Sequence, residues 1–175
     1  TAEEAKKMKH RLGWSIVFLI VLMYISMGHM LGWPLPGILL GHENMMIFAL
    51  TQLFLTLPIM YLNRKYYENG FKSLFHGAPN MDTLVAMGST AAFVYSVSRL
   101  HVMGYAMGRG ETDMAHMAAM NLYFESAAMI LTLVTIGKYM ESRSKNRTSD
   151  AITKLVDLAP KTALVVRNGQ ETEIP

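Results

Sequence analysis

Two glutamates flank an uncharged stretch of the chain, and their spacing is the first feature that suggests chemistry. Glu125 and Glu141 stand on either side of residues 126–137, none of which is charged. Sixteen helical residues rise about 24 Å, close to the roughly 30 Å hydrocarbon thickness of a bilayer. We therefore expect one carboxylate near each membrane face, where ionisable groups are costly and usually functional. Glu125 shares a helix face with Met129 and Thr132.

The same spacing indicates that the two carboxylates do not line one straight pore. On an ideal helix, Glu141 points about 160° away from Glu125. Either the helix bends, or the two groups serve different parts of an ion route. A solvated charge paired with Lys138 or Lys145 is an equally good interpretation of Glu141.

Soft metal ligands form a second group of candidates. The chain has 16 Met, 6 His and no Cys, so it has neither disulfides nor thiolate ligands. Thioether sulfur suits Cu(I), and imidazole suits copper or zinc. Many of these residues fall near the expected outer side: His29, Met30, His42, His101, Met103, Met107, Met114, His116, Met117 and Met120. Simple loop composition is the alternative, and spacing alone favours core packing for Met87.

Four apolar segments must position these groups. They cover residues 12–33, 45–62, 83–103 and 121–140, and each is nearly long enough to cross a bilayer. With 51% hydrophobic residues, the chain is not typical of a soluble domain. The pattern predicts a mainly α fold with four transmembrane helices over residues 12–140 and membrane lipid as its surroundings.

Basic residues near the ends of these segments predict the orientation. One side has only Arg99 and Arg109. The other side carries Lys6, Lys7, Lys9, Arg11, Arg64, Lys65, Lys72, Lys138, Arg143, Lys145 and Arg147. The positive-inside rule therefore predicts that both ends of the chain are cytoplasmic and that loops 33–44 and 104–120 lie outside. We expect the plasma membrane as the location, and a charged helix or linker on the cytoplasmic side for residues 1–11.

Residues 64–76 mix basic and aromatic side chains and predict an amphipathic helix in the cytoplasmic interface. A plain membrane anchor and a docking surface for a protein partner are equally good interpretations. In the second case Arg64, Lys65 and Lys72 supply the charge; no pattern indicates nucleic-acid binding.

The third segment has its own local signals. Asn80 can cap a helix, and Asp82 suits the positive end of the helix dipole. Gly88, Ala92 and Ser96 form a stripe of small residues that favours close packing against another span.

The last part of the chain, residues 141–175, changes character. It predicts a helical stalk with Ile152, Leu155 and Val156 facing inward and Pro160 as its stop. A strand, an Asn168-Gly169 turn and a second strand follow. A lone hairpin is marginal in water, so we expect the truncated start of a β-rich cytosolic domain and a larger protein.

Two stretches resemble a known family. HGAPNMDTLVAMGSTAAFVY, from His76, resembles the third membrane helix of heavy-metal (type IB) P-type ATPases, in the copper-exporting branch. YFESAAMILTLVTIGKYMESRSKNRTSDAITKLVDLAPKTA resembles the next helix and its run into the actuator domain. The resemblance implies that Met87 and Glu141 take up Cu(I) at the cytosolic end and that Glu125 is the exit carboxylate.

The resemblance also implies a platform over residues 64–76. There, a copper chaperone or the protein's own N-terminal metal-binding domain would deliver the ion. Many relatives kink the second helix with a Gly-Gly pair, where this chain has Leu62-Asn63. Asn63 or Gly70 would then have to supply the kink.

The resemblance further implies that the intact protein couples ATP hydrolysis, with Mg²⁺ and an aspartyl-phosphate, to Cu(I) export. The ATP and Mg²⁺ sites lie outside this fragment, which alone should be inactive. The alternative is a four-helix membrane cytochrome with His29 and His101 as haem ligands, or a metal-binding membrane module without ATPase activity.

Overall fold

The computed structural model describes residues 2–158 and 163–174, which are mainly helical. The described elements are α1 (Ala2–Leu31), α2 (Met45–Leu62), α3 (Lys65–Phe75), α4 (Met81–Gly108), α5 (Thr112–Met120), α6 (Phe124–Asp157), β1 (Ala163–Arg167), β2 (Gln170–Ile174) and two short 3-10 helices, Gly37–Leu39 and His42–Asn44.

The long helices α1, α2, α4 and α6 form a bundle, with α3 packed on α4 at one end and α5 packed on α4 and α2 at the other. We call the first end, which also holds the lysine-rich start of α1, the basic end. The second is the methionine-rich end. Phe124 and Met103 anchor an apolar cluster at the methionine-rich end, and Leu22 and Ile59 anchor another toward the basic end.

Three helical segments of the described chain are long and apolar enough to cross a membrane: Glu3–Gly28, Met45–Leu62 and Thr112–Asp157, the last comprising α5 and α6. Helix α4 is not among them, although it has 28 residues. Serine, threonine and glycine lower its apolar content. Its hydroxyls bond to the helix backbone, as Ser89 does to the Val85 carbonyl oxygen (2.8 Å) and Ser96 to that of Ala92 (2.8 Å).

Helices extend into two segments outside the predicted spans. For residues 1–11 a charged helix or a linker was expected, and the structure has the helix from Ala2 onward, because α1 runs unbroken into the apolar segment. The expected outer loop 104–120 is largely helical, because α4 continues to Gly108 and α5 follows. Both stretches contain alanine, methionine and glutamate, and the first also contains lysine; these residues have high helix propensity.

The stalk is one helix with the fourth span, since α6 continues without a break to Asp157. The prediction that Ile152, Leu155 and Val156 face inward is wrong for the described chain, because all three are exposed. The described elements bury only the first part of α6. The predicted stop at Pro160 falls outside the described residues.

Other local predictions are confirmed. The Asn80 side chain accepts a hydrogen bond from the Thr83 backbone (3.1 Å) and completes a capping box for α4. Strands β1 and β2 pair antiparallel around a turn in which Asn168 and Gly169 have positive φ angles of 54° and 77°. This is the backbone that a type I′ turn requires.

Candidate functional site

Glu125 lies at the methionine-rich end, on the wall of a small cavity enclosed by α1, α2, α5 and α6. The cavity has a volume of about 110 Å³. Its lining includes three methionines, Met27 and Met30 from α1 and Met120 from α5, together with Gln52 from α2. The Ser26 hydroxyl donates a hydrogen bond to the Glu125 carboxylate. Four helices therefore bring one carboxylate and three thioethers to one cavity.

Two oxygens of this cavity lack hydrogen-bond partners within the described chain. They are Glu125 Oε2 and Gln52 Oε1, and both are buried. A third buried oxygen without a partner, Thr132 Oγ1, is two helical turns along α6 from Glu125. Buried acceptors are almost always satisfied, so an orphaned group calls for an explanation such as an ion. Acceptor oxygens beside soft sulfur can bind a monovalent soft cation.

A second cavity adjoins the first at the same end. It has a volume of about 130 Å³ and shares Met120 and Phe48 with the first. Met45 and His116 also line it, so some of the predicted outer Met and His residues do converge. Met103, by contrast, is fully buried in the apolar cluster.

Met87 and Glu141 belong to the opposite, basic half of the bundle. Met87 is 51% exposed, because α4 packs through its Ala86 and Ser89 side and leaves the Met87 side uncovered. Glu141 is exposed and pairs with Lys145 (3.0 Å) one turn further along α6. The structure thus places Glu125 in the first turn of α6 and Glu141 near the middle of that helix, at opposite ends of the predicted fourth span.

An ion pair joins α4 to α6 close to these two residues. Lys138 Nζ is 2.6 Å from Asp82 Oδ1 and 4.6 Å from the centre of the Tyr66 ring. The pair holds the first turn of α4 against α6, at a point one helical turn before Glu141 on α6. Lys138 was a predicted partner of Glu141, but it bonds Asp82 instead.

Asn63 is a buried positioning residue that the sequence patterns do not single out as a site. Its Nδ2 donates hydrogen bonds to the Ile59 carbonyl oxygen (2.8 Å) and to Ser15 Oγ (3.1 Å). The Thr135 hydroxyl lies 3.1 Å from Asn63 Oδ1 and 2.9 Å from the Tyr66 hydroxyl. These contacts join α1, α2, α3 and α6 at one point, where the chain turns from α2 into α3.

Helix α3, the predicted platform, lies flat against the start of α4. A Cβ added to Gly70 would meet the Asp82 carbonyl oxygen at 2.4 Å, and the Thr83 hydroxyl donates to the Gly70 carbonyl oxygen (2.6 Å). Asn63 therefore supplies the bend after α2, and Gly70 the close contact with α4. Burial raises the pKa of Tyr67, partly offset by its hydrogen bond with Ser89.

The opposite face of α3 points outward. Arg64, Lys65 and Lys72 are all exposed. Arg64 stacks on Tyr61, with 4.6 Å from its guanidinium carbon to the ring centre. The amphipathic character predicted for residues 64–76 is confirmed; a docking role stays a prediction.

Histidines form no metal cluster in the described chain. No group of three or more His, Asp or Glu residues there has a metal-binding arrangement. His101 is exposed, with its Nδ1 3.0 Å from the Val97 carbonyl oxygen. The side chain of His29, its proposed haem partner, is not among those described.

Relatives of known function align with nearly the whole chain. A copper-transporting ATPase of Helicobacter pylori is 35% identical over 179 residues, which cover 99% of this chain. The chain is homologous to a segment of the copper-transporting P-type ATPases. A copper-exporting P-type ATPase of Staphylococcus epidermidis is 31% identical over 99% of the chain, and a probable copper-importing P-type ATPase of Enterococcus hirae is 36% identical over 97%.

The chain spans less than a quarter of each of these ATPases: 23% of the Helicobacter, 21% of the Enterococcus and 20% of the Staphylococcus protein. No protein-family model matches it. The names of these relatives describe copper transport and do not favour the cytochrome alternative.

Proposed function

We propose that this chain is the membrane-inserted part of an ATP-driven Cu(I) export pump, which provides a loading region and an exit carboxylate. The observation that carries the proposal is the cavity in which unpartnered oxygens of Glu125 and Gln52 accompany three methionine side chains. A soft monovalent cation needs such a mixture of one negative charge and weak sulfur ligands.

Met87 and Glu141 are proposed as the loading site. Both are exposed on sides of α4 and α6 that the described helices leave uncovered. They are therefore accessible to ligands from other parts of an intact pump. The ATP and Mg²⁺ chemistry belongs to parts outside this chain, so the chain alone is expected to be inactive.

The direction of transport is a separate proposal, because the names of the relatives include both an exporter and a probable importer. Export follows from the charge distribution combined with the proposed loading role of Met87 and Glu141. The lysine-rich start of α1 and the basic side of α3 surround the end that carries the loading residues, and basic residues favour the cytoplasmic side. Both termini are then cytoplasmic, and Glu125 faces outward.

The platform role of α3 is proposed on the same geometry. Arg64, Lys65 and Lys72 are exposed beside the loading end. Exposed cations speed and orient the approach of an acidic partner. A copper chaperone or an N-terminal metal-binding domain with an acidic face would fit this surface.

The test is copper-stimulated ATP hydrolysis by the intact pump that contains this chain. We expect Met87→Ala and Glu141→Ala each to lower copper-stimulated turnover about tenfold or more, since even indirect damage to a metal site costs about 10–100-fold. Glu111→Gln serves as the charge-matched control because Glu111 is exposed and lies outside both cavities. Wild-type copper dependence in both loading-site variants would refute the assignment.

Glu125 requires its own measurement, since loading and release are different steps. We expect Glu125→Gln to retain copper-dependent phosphorylation of the pump but to slow dephosphorylation. The glutamine removes the negative charge from the exit, and the ion is then released less readily. Unchanged dephosphorylation in this variant would show that Glu125 is not on the exit route.

A further inference from the structure

Two adjoining cavities run along the exposed side of α1 at the basic end. The first, about 200 Å³, opens between α1 and α6 and is lined by Lys6, Lys9, Tyr139, Arg143 and Asn146. The second, about 440 Å³, continues along α1 toward the apolar part of the helix and shares Lys6 and Lys9 with the first.

The first cavity is strongly cationic. Lys6, Lys9 and Arg143 border it, and no acidic residue is among those that line either cavity in the described chain. Lys6 and Lys9 are also neighbours on the helix surface, where like charges three residues apart are destabilising. A bound anion would relieve this repulsion, and Tyr139 and Asn146 add polar atoms to the same wall.

The second cavity changes from polar to apolar along the helix. Beyond Lys9 and His10 it is lined by Gly13, Trp14 and Val17. A Cβ at Gly13 would meet nothing within 4 Å, so there is free space above this residue. We call the two adjoining cavities together the groove. Trp14 and Val17 are 58% and 51% exposed, and they form an apolar strip directly below the cations.

The axial spacing of the two parts matches one leaflet of a bilayer. Lys9 stands about 8 Å above Trp14 along the helix axis. The headgroup layer of one leaflet is about 5–8 Å thick, and tryptophan favours the boundary between this layer and the hydrocarbon. With Trp14 at that boundary, Lys9 lies at headgroup level and Val17 lies in the hydrocarbon. Lys6 stands about 12 Å above Trp14, and its long side chain extends toward the headgroups.

We propose that this groove binds one anionic phospholipid. The phosphate of the headgroup lies among Lys6, Lys9 and Arg143, and an acyl chain passes over Gly13 against Trp14 and Val17. A free phosphate would use only the cationic part, whereas a lipid uses both parts at the depths where they occur. The bound lipid bridges α1 and α6 and does not involve Glu125, Met87 or Glu141.

Native mass spectrometry of the purified protein in neutral detergent tests the proposal, with titration of phosphatidylglycerol or phosphatidylcholine. We expect wild type to retain one phosphatidylglycerol in preference to phosphatidylcholine. The triple variant Lys6→Gln, Lys9→Gln, Arg143→Gln should bind phosphatidylglycerol about a hundredfold more weakly, since each cation near an anionic lipid contributes about 1 kcal/mol.

The matched control is the triple variant Arg147→Gln, Lys154→Gln, Arg167→Gln, which removes the same charge away from both cavities. It should retain wild-type binding; an equal loss in both triple variants would overturn the proposal in favour of unspecific attraction. Gly13→Leu keeps the cations and fills the groove, and it should also weaken lipid binding.

Inorganic phosphate separates a lipid site from a simple anion site. We expect millimolar phosphate not to displace the bound phosphatidylglycerol. Displacement by phosphate, together with unchanged lipid binding in Gly13→Leu, would show that the cationic cavity binds phosphate groups without lipid specificity and would refute the proposal.

Discussion

At the residue scale, the buried polar contacts of Asn63 hold four helices at the point where α2 gives way to α3. Asn63 is fully buried, and its side chain bonds to α1, to α2 and to α6. A buried network of this kind stabilises a unique arrangement only while every member is satisfied. The network therefore fixes the bend that sets the position of α3.

Replacing Asn63 tests this role. We expect Asn63→Ala to lower the free energy of unfolding by about 2 kcal/mol, because the Ser15 and Thr135 hydroxyls lose their buried partner. Denaturant titration in detergent micelles measures the change. Asn69→Ala is the matched control, since Asn69 is exposed on α3. Equal stabilities of the two variants would show that the network contributes nothing.

At the element scale, the close approach of α3 to α4 depends on one missing side chain. The backbone of α4 occupies the space that a Cβ at Gly70 would need, at 2.4 Å from the Asp82 carbonyl oxygen. Backbone atoms on both sides leave little room for adjustment. The platform thus owes its position to glycine at this residue and to the hydrogen bond from Thr83.

Gly70→Ala is therefore expected to lift α3 from α4. Amide hydrogen exchange should increase throughout α3 while the bundle core stays protected, because the two hydrogen bonds between the helices, Thr83 to Gly70 and Tyr67 with Ser89, break together. Gly137→Ala provides the control: nothing lies within 4 Å of a Cβ there, and alanine favours a helix more than glycine. Unchanged exchange in α3 of Gly70→Ala would contradict the packing.

At the scale of the whole molecule, the number of membrane crossings decides the orientation of both cavities. Among the described residues, three segments meet the length and composition expected of a span, whereas α4 is long enough but less apolar. If α4 nevertheless crosses, the chain starts and ends on one side, and the Glu125 cavity opens on the other. The stripe of small residues Gly88, Ala92 and Ser96 packs against a neighbour only in part. Ser96 is buried and accepts a hydrogen bond from the Tyr123 backbone N–H, whereas Gly88 is exposed.

Single cysteines can test this arrangement cleanly, because the chain has none of its own. In sealed vesicles, we expect Lys72→Cys and Arg167→Cys to react with a membrane-impermeant maleimide from the same side, and Arg109→Cys from the opposite side. All three positions are exposed. Labelling of Lys72→Cys and Arg109→Cys from one side would exclude α4 as a span and contradict the four-helix topology.

Features that depend on local interactions could be predicted from the amino-acid sequence alone. Asn80 caps α4 and Asn168-Gly169 turns the hairpin, because each needs only backbone groups a few residues away. The rise of an α-helix likewise predicted that Glu125 and Glu141 lie at opposite ends of the fourth span. The predicted ends of the helices were less accurate, because residues with high helix propensity extend α1 and α4 beyond the apolar segments.

Contacts between residues distant in the sequence could not be predicted in this way, because they depend on how the helices pack. Glu125 is 73 residues from Gln52 in the sequence (125 − 52), yet both line one cavity with unpartnered oxygens. The sequence identified Asn63 and Gly70 as candidates for the bend after α2. It did not indicate that Asn63 forms a buried hydrogen-bond network or that Gly70 lies in close contact with the backbone of α4. Such pairings depend on how α1, α2 and α6 pack together, and helix packing is set by the fit of side chains that lie far apart in the sequence.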